Sequence, residues 1–296
     1  MNALYDVKKP NLLYGKVIRD QILSEVAAEI EELKKQHVAP FLMTIEVGND
    51  PATAVYKESQ RKLAAQIGIN YETIELSKNT SEERLLKMID RINRDPVING
   101  LMVHMPLPEH IDARKVQWSI NSLKDVEGVT PYNMGKLFLG AEALYPCTAE
   151  SIMALIKATG VDLKGKEVTV VGCSSIVGKP VATMLLKEEA TVSVCHYQTS
   201  KRGMLEHHVR NAEILVVAAG VPNLIPGEWI REGAIVIDAG INRVGKDIVG
   251  DVDFEGALKR ASYITPVPGG VGSVTVAYLM KNTVTALKRQ LAAQHG

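Results

Sequence analysis

The sequence predicts an α/β protein of two domains: an N-terminal domain built on a mostly parallel sheet, and a Rossmann-like dinucleotide-binding domain, with a ligand cleft between them. Three observations carry that prediction. Helix-period and strand-period segments alternate from residue 17 to residue 105, and the rhythm restarts after Pro146. Glycines at 172 and 178 stand where an apolar run gives way to a helical pattern. A chain of 296 residues suits two cores of ordinary size.

The elements follow in order. Val17, Ile18, Ile22, Val26, Ile30 and Leu33 recur at helical spacing; Pro40 resets the chain, and Phe41 to Val47 is an apolar strand. A second helix covers Thr53 to Ile67 and stops at Gly68. Tyr71 to Leu76 is strand-like. Thr80 with Glu83 forms a capping box that opens a helix to Asn93, and Gly100 to Met105 is the next strand. A β-α-β-α-β order puts helices on both faces of a parallel sheet and its ligand edge at the carboxyl ends of the strands.

The second series holds helix Ser151 to Thr159, strand Glu167 to Val171, helix Val177 to Glu188 and strand Thr191 to Cys195. A helix from Met204 to Asn211 and strands Ile214 to Ala218 and Ala234 to Asp238 complete it. The hinge is expected near 146 to 150. The last helix carries Val276, Leu279, Met280, Val284, Leu287 and Leu291 on one stripe, which needs a partner surface in the first domain. The expected domains are therefore 1–148 with 274–296, and 149–273.

Lys plus Arg and Asp plus Glu both number 34, so the formal net charge is zero, which argues against nucleic acid or an anionic membrane as the main partner. Cys147, Cys173 and Cys195 are too few and too scattered for a disulfide framework or a zinc site, and no metal is expected. With no stretch as apolar and long as a membrane span, the expectation is a cytoplasmic protein.

Val170 to Pro180 reads G-x-S-x-x-x-G after a strand and before a helix. That arrangement aims backbone N–H groups and a helix N-terminus at a phosphate, although glycine turns also join strands to helices in proteins without ligands. Thr265 to Gly272 combines two stiffening prolines, Pro266 and Pro268, with Gly269, Gly270 and Gly272. A helix cap accounts for one of those glycines but not for three. Tyr56 and Gln60 share a helix face. His104 ends a strand, where a packed histidine and a catalytic one are equally expected. Asp125 and Glu127, beside Lys124, form either a site or a solvated charge run.

Together with Val47 to Ala52, Pro131 to Gly135, Pro146-Cys147-Thr148 and Cys195-His196, these segments resemble the bifunctional methylenetetrahydrofolate dehydrogenase / methenyltetrahydrofolate cyclohydrolase family over nearly the whole chain. The resemblance implies a nicotinamide-dependent dehydrogenase in one-carbon metabolism, acting on a tetrahydrofolate-type substrate as a homodimer. It implies a catalytic set of Tyr56, Gln60, His104 and Asp125, with Glu127, Pro268, Gly269 and Gly270 on the substrate. The implied cofactor set is Gly172, Cys173, Ser174, Ile176, Val177, Gly178, His196, Tyr197, Thr199, Gly272 and Thr275. Hydride transfer from the methylene bridge needs positioning; hydrolysis of the methenyl product needs a titratable group.

At that point the chain departs from the family. The family lysine four residues after the tyrosine is Gln60, the glutamine is His104, and the second aspartate of the K-D-V-D-G segment is Glu127. An amide does not exchange protons at neutral pH, so the family's hydrolytic mechanism does not run unchanged. Ser273 replaces a proline after G-G-V-G, and Ala149 and Ser151 interrupt P-C-T-P-x-G, which leaves a related pterin open as substrate. The arginine and serine that hold the 2′-phosphate of NADP are Cys173 and Tyr197; NADP or NAD is expected, with NADP weakened. Lys201 and Arg202 are either a replacement charge or an exposed basic turn. The leading expectation is a dehydrogenase with impaired cyclohydrolase. The alternatives are a bifunctional enzyme using His104 or Lys57 as base, and a non-catalytic folate- or nucleotide-binding paralogue.

Overall fold

The computed structural model describes residues 11–48 and 51–295, so Asn49 and Asp50 of the Val47 to Ala52 motif lie outside the described residues. The chain divides into two compact units, Ile22–Cys147 with the described residues from Leu279 onward, and the described residues up to Gln21 with Thr148–Tyr278.

Helix α1 (Gly15–Lys35) leads into β1 (Phe41–Val47), α2 (Pro51–Ile67), β2 (Asn70–Leu76), α3 (Glu82–Arg94) and β3 (Gly100–Val103). The three strands form a parallel sheet in the order β2-β1-β3. β1 is central and buried along almost its whole length, whereas β2 alternates as an edge strand does. Met43, Ile45, Val47, Leu85, Ile89, Ile92, Leu101 and Val103 pack as one core over this sheet. Each such side chain is worth roughly 1.5–3 kcal/mol when fully buried.

Helix α3 is capped by Ser81, whose hydroxyl accepts from the Arg84 N–H at 3.3 Å. The expected Thr80–Glu83 box does not form: Glu83 instead pairs with Lys87 at 2.6 Å. Two adjacent hydroxyl residues offered two registers, and the second puts Glu82 in the first turn, where Asp112 N–H and Lys115 also bind it. Two short helices missing from the expected order, α4 (Ala113–Trp118) and α5 (Pro131–Phe138), begin at Asp112 and Thr130 caps.

The second unit holds α6 (Cys147–Ala158), β4 (Glu167–Val171), α7 (Gly178–Lys187), β5 (Thr191–Cys195), α8 (Tyr197–Lys201), α9 (Leu205–Asn211), β6 (Ile214–Val217) and β7 (Ile235–Asp238). After these come β8 (Asn242–Val244), β9 (Asp247–Val249), α10 (Phe254–Leu258), β10 (Tyr263–Ile264) and α11 (Val271–His295). Five strands pair in parallel in the order β10-β7-β6-β4-β5. The chain leaves β4 for β5 on one side and returns to β6 on the other. The order therefore reverses between β4 and β6, the place where such sheets open a crevice for a ligand at their carboxyl ends. β8 and β9 form a small antiparallel hairpin of mostly exposed residues, for which the sequence offers no alternating apolar signal.

Residues 11–21 group with the second unit and not with residues 22–147 as expected. The reason is backbone pairing: Leu13 N–H donates to Ile264 O, Ile264 N–H to Asn11 O and Gly15 N–H to Gly269 O, each at 2.9 Å. From Leu279 onward α11 belongs to the unit of residues 22–147. Asn282 Nδ2 donates to Val126 O at 2.9 Å and Tyr145 O at 3.0 Å, and Gln290 Nε2 donates to Asn99 O at 2.7 Å and Leu123 O at 2.9 Å.

Candidate active site

In the unit of residues 22–147, helix α2 carries Tyr56, Lys57 and Gln60, with Lys57 meeting Glu46 and Glu75 near the carboxyl ends of β1 and β2 and Gln60 meeting Tyr71 and Met102. Gln60 is 0% exposed. Its side-chain oxygen accepts from Tyr71 OH at 3.0 Å, its amide nitrogen lies 3.7 Å from Met102 Sδ, and it shares a hydrogen bond with the Tyr56 hydroxyl. Tyr56 shows 36% of its surface, but burial around its hydroxyl holds the phenol well above its ordinary pKa, with Cys147 and Glu127 adding to the rise. Tyr56, Gln60, Glu127 and Cys147 thus surround one point, reached from a helix, a loop and the start of α6.

Lys57 lies one turn away, and its ammonium is held by Glu46 at 2.5 Å and Glu75 at 2.7 Å. Those hydrogen bonds raise its pKa, so it stays charged. His104 is 3% exposed; its backbone N–H pairs with Ile45 O at 2.8 Å, and its Nε2 is buried with no partner among the described residues. Burial lowers its pKa, Lys57 adds to that, and Glu46 opposes it. The imidazole is therefore neutral near pH 7 and able to accept a proton.

The Lys124 to Gly128 segment is neither a charge run nor a single site. Lys124 is buried, and its ammonium caps α3 through Ile92 O at 2.8 Å and Asp95 O at 2.5 Å. Asp125 is fully buried and accepts from Val129 N–H at 3.2 Å, Thr130 N–H at 2.8 Å and Asn133 Nδ2 at 2.9 Å, so its carboxylate is spent on the loop that starts α5. Glu127 accepts from the Val103 N–H, and burial with the nearby Asp125 charge pushes its carboxyl up to about 8. Of the two acids, Glu127 is the one with chemistry to offer.

In the second unit, Gly172 adopts φ +116°, its N–H donates to Cys195 O at 2.9 Å, and a Cβ there would overlap the Ala218 carbonyl. A Cβ at Gly178 would overlap the Gly172 carbonyl. Both glycines are therefore needed for the β4 turn, the end of β6 and α7 to meet at the strand-order reversal. Ser174 Oγ accepts from the N–H groups of Val177 at 3.1 Å and Gly178 at 3.5 Å, closing the loop, while Cys173, Ser175 and Ile176 remain exposed. This glycine turn leading into a helix N-terminus fits a pyrophosphate, with Ser174 Oγ on two of its N–H groups.

At the end of β5, His196 Nδ1 accepts from Gln198 N–H at 3.2 Å and Thr199 Oγ1 accepts from His196 N–H at 3.2 Å, so these two residues cap α8. Tyr197 is exposed, and the Lys201 ammonium lies 4.9 Å from its ring centroid. Pro268, Gly269, Gly270 and Gly272 line a cavity of about 270 Å³ with residues 238–241 and Ile248. Gly269 has φ +109°, and a Cβ at Gly270 would crowd Pro266 O and Thr265, but Gly272 has room. Local geometry thus requires two of the three glycines. Thr275 Oγ1 donates to Val271 O at 3.1 Å inside α11.

Sequence reasoning missed Tyr71, Glu46, Asp238 and Asp251. Tyr71 and Glu46 sat unremarked within strands that had been recognised. No group of three metal-binding side chains occurs among the described residues, and none of their helices is long and apolar enough to cross a membrane.

Residues 13–127 match the family model for the catalytic domain of tetrahydrofolate dehydrogenase/cyclohydrolase, and residues 146–291 match the model for its NAD(P)-binding domain. The chain is 48% identical over 279 residues to the bifunctional protein FolD of Moorella thermoacetica, covering 94% of this chain and 99% of that protein. Among solved structures it is similar to the FolD methylenetetrahydrofolate dehydrogenase/cyclohydrolase of Campylobacter jejuni, with a TM-score of 0.90, 44% identity, and 94% and 98% of the two chains covered. It is equally close in fold to the Trypanosoma brucei enzyme complexed with NADP and an inhibitor, with a TM-score of 0.90, 39% identity, and 95% and 98% coverage.

Proposed function

The chain belongs to the tetrahydrofolate dehydrogenase/cyclohydrolase family and is an NAD(P)-dependent enzyme, and on that premise we propose that it is a 5,10-methylenetetrahydrofolate dehydrogenase whose cyclohydrolase step is impaired. The observation that carries the proposal is the buried Gln60 amide, held by Tyr71 and Tyr56 where the family pattern has a lysine. An amide holds its place without exchanging a proton, which is compatible with hydride transfer and not with the acid–base work of hydrolysis.

In this reading Tyr56, Gln60 and Glu127 surround the folate bridge beside His104, and Asp125 acts only through the loop it anchors. The dinucleotide, which supplies the hydride acceptor when bound, falls to Gly172, Cys173, Ser174, Ile176, Val177 and Gly178, with His196, Tyr197, Thr199, Gly272 and Thr275 at its borders. NADP or NAD serves; without a cation at position 173 the 2′-phosphate has a weaker grip. Three free thiols support a reducing cytoplasm, and a second copy of the chain is the expected partner.

The test is a paired assay on purified protein. Reduction of NAD or NADP with 5,10-methylenetetrahydrofolate is expected, with hydrolysis of the methenyl product at least tenfold slower. Absence of reduction with both dinucleotides would overturn the dehydrogenase. One observation favours a second reading in which hydrolysis persists: of the two substitute bases, Lys57 is locked as a cation, but His104 is neutral with an open Nε2. Rapid hydrolysis that disappears in His104→Ala would select it.

A further inference from the structure

At the carboxyl ends of β6 and β7 two buried carboxylates meet. Asp251 is 0% exposed and gathers four donors: Ala219 N–H at 2.7 Å, Gly220 N–H at 2.9 Å, Val221 N–H at 3.0 Å and Asn242 Nδ2 at 2.8 Å. Asp238 accepts from Gly240 N–H at 2.9 Å, Asp251 N–H at 3.1 Å and Val252 N–H at 2.9 Å. The backbone is cleared for them, because a Cβ at Gly240 would overlap the Asp251 carboxylate and one at Gly250 the Asp238 carboxylate. So dense a set of charge-assisted bonds holds its loops in one arrangement.

Both loops border the nucleotide crevice. Residues 219–221 continue directly from Ala218, whose carbonyl abuts Gly172 at the strand-order reversal. Three consecutive N–H groups there turn inward onto Asp251, so the anion-binding role in this crevice is left to the Gly172 loop. Residues 238–241 form one wall of the 270 Å³ cavity opposite the Pro266 to Ser273 loop. Thr265 ties the two walls together, since Asp238 N–H donates to its Oγ1 at 2.8 Å. We propose that Asp238 and Asp251 are positioning residues for the dinucleotide, acting through the loops that follow β6 and β7 without touching the ligand. The proposal rests on the reading of this unit as the dinucleotide site.

The clasp also has a pH signature. Burial pushes the Asp238 carboxyl up to about 6 against the pull of its three N–H donors, and the charged group it faces is Asp251. Because burial outweighs those donors, the closed clasp holds the Asp238 proton more tightly than an opened one does, so closure is favoured as pH falls through about 6 and is opposed by the buried charge above it.

The experiment measures KM for the dinucleotide and kcat separately, from pH 5.5 to 8, in wild type, Asp238→Asn, Asp251→Asn and Asn242→Ala. In either Asn variant an amide N–H faces a backbone N–H, and a rise in dinucleotide KM of about tenfold is expected at pH 7.5, with kcat falling less than about threefold. Asn242→Ala deletes one donor of four and should raise KM about two- to threefold, which keeps the test readable if the carboxylate variants fold poorly. Wild-type KM should fall as pH drops from 8 through about 6, and Asp238→Asn should flatten that trend. A purely structural role would lower the yield of active enzyme and leave KM unmoved. Dinucleotide KM within twofold of wild type in Asn242→Ala and in the carboxylate variants that fold, with a flat wild-type pH profile, overturns the positioning role and leaves the dehydrogenase standing. A wild type that binds neither NAD nor NADP overturns both.

Discussion

The Tyr71 hydroxyl donates to the Gln60 side-chain oxygen across 3.0 Å, from the edge strand of the first sheet to a helix residue with no exposed surface. Tyr71→Phe leaves that oxygen unpaired in a buried setting and should lower stability by about 1–3 kcal/mol, read as the midpoint of a denaturant titration. Gln60→Lys puts an amine in the same place, where burial favours its neutral form. Hydrolysis of methenyltetrahydrofolate should then rise by roughly 10²-fold. No gain in a folded variant would place the loss elsewhere than residue 60.

Glu127 has its carboxyl raised to about 8. A raised acid binds its proton more tightly folded than unfolded, so its contribution is fully present at low pH and shrinks as pH climbs from about 4.5 to about 8. Relative to wild type, Glu127→Gln should therefore be more stable at pH 9 than at pH 5. Denaturant midpoints for the two proteins that stay parallel across that range would contradict the shift.

The glycines of the two loops should separate sharply. Gly178→Ala drives a Cβ into the Gly172 carbonyl, whereas at Gly272 the nearest atom is Ile241 Cδ1 at 3.6 Å. The first should cost roughly 1–3 kcal/mol or more and abolish dinucleotide binding; the second should stay within about 0.5 kcal/mol. Thermal melts with and without NADP distinguish them.

Cys173 is exposed in the β4–α7 loop. Cys173→Arg supplies a guanidinium for a phosphate, so KM for NADP should fall about tenfold with little change for NAD. An equal change for both dinucleotides would mean that position 173 does not reach the 2′-phosphate.

Local patterns revealed most of the architecture. β4 and β5 lie where the apolar runs at Glu167 to Val171 and Thr191 to Cys195 put them, because each run is bounded by polar or glycine punctuation. Short helices at Asp112, Thr130 and Asp253 escaped notice even though their caps stand in the sequence; five to eight residues show too little periodicity. Asp125 and Glu127, two residues apart, take opposite roles because one faces the N–H groups of the α5 loop and the other faces Val103. Spacing alone does not reveal that difference. Asp238 and Asp251 were silent for a related reason: one ends β7, the other follows the β8–β9 hairpin, and only the return of the chain through that hairpin brings them together.

The bonds from Asn282 and Gln290 to Val126, Tyr145, Asn99 and Leu123 impose an order on biosynthesis. The segment containing Tyr56 and His104 leaves the ribosome early, yet the bonds from Asn282 and Gln290 to four of its backbone carbonyls form only when the end of α11 has been translated. The half of the protein made first is completed last, and any nascent chain stalled before residue 282 carries that unit unfinished.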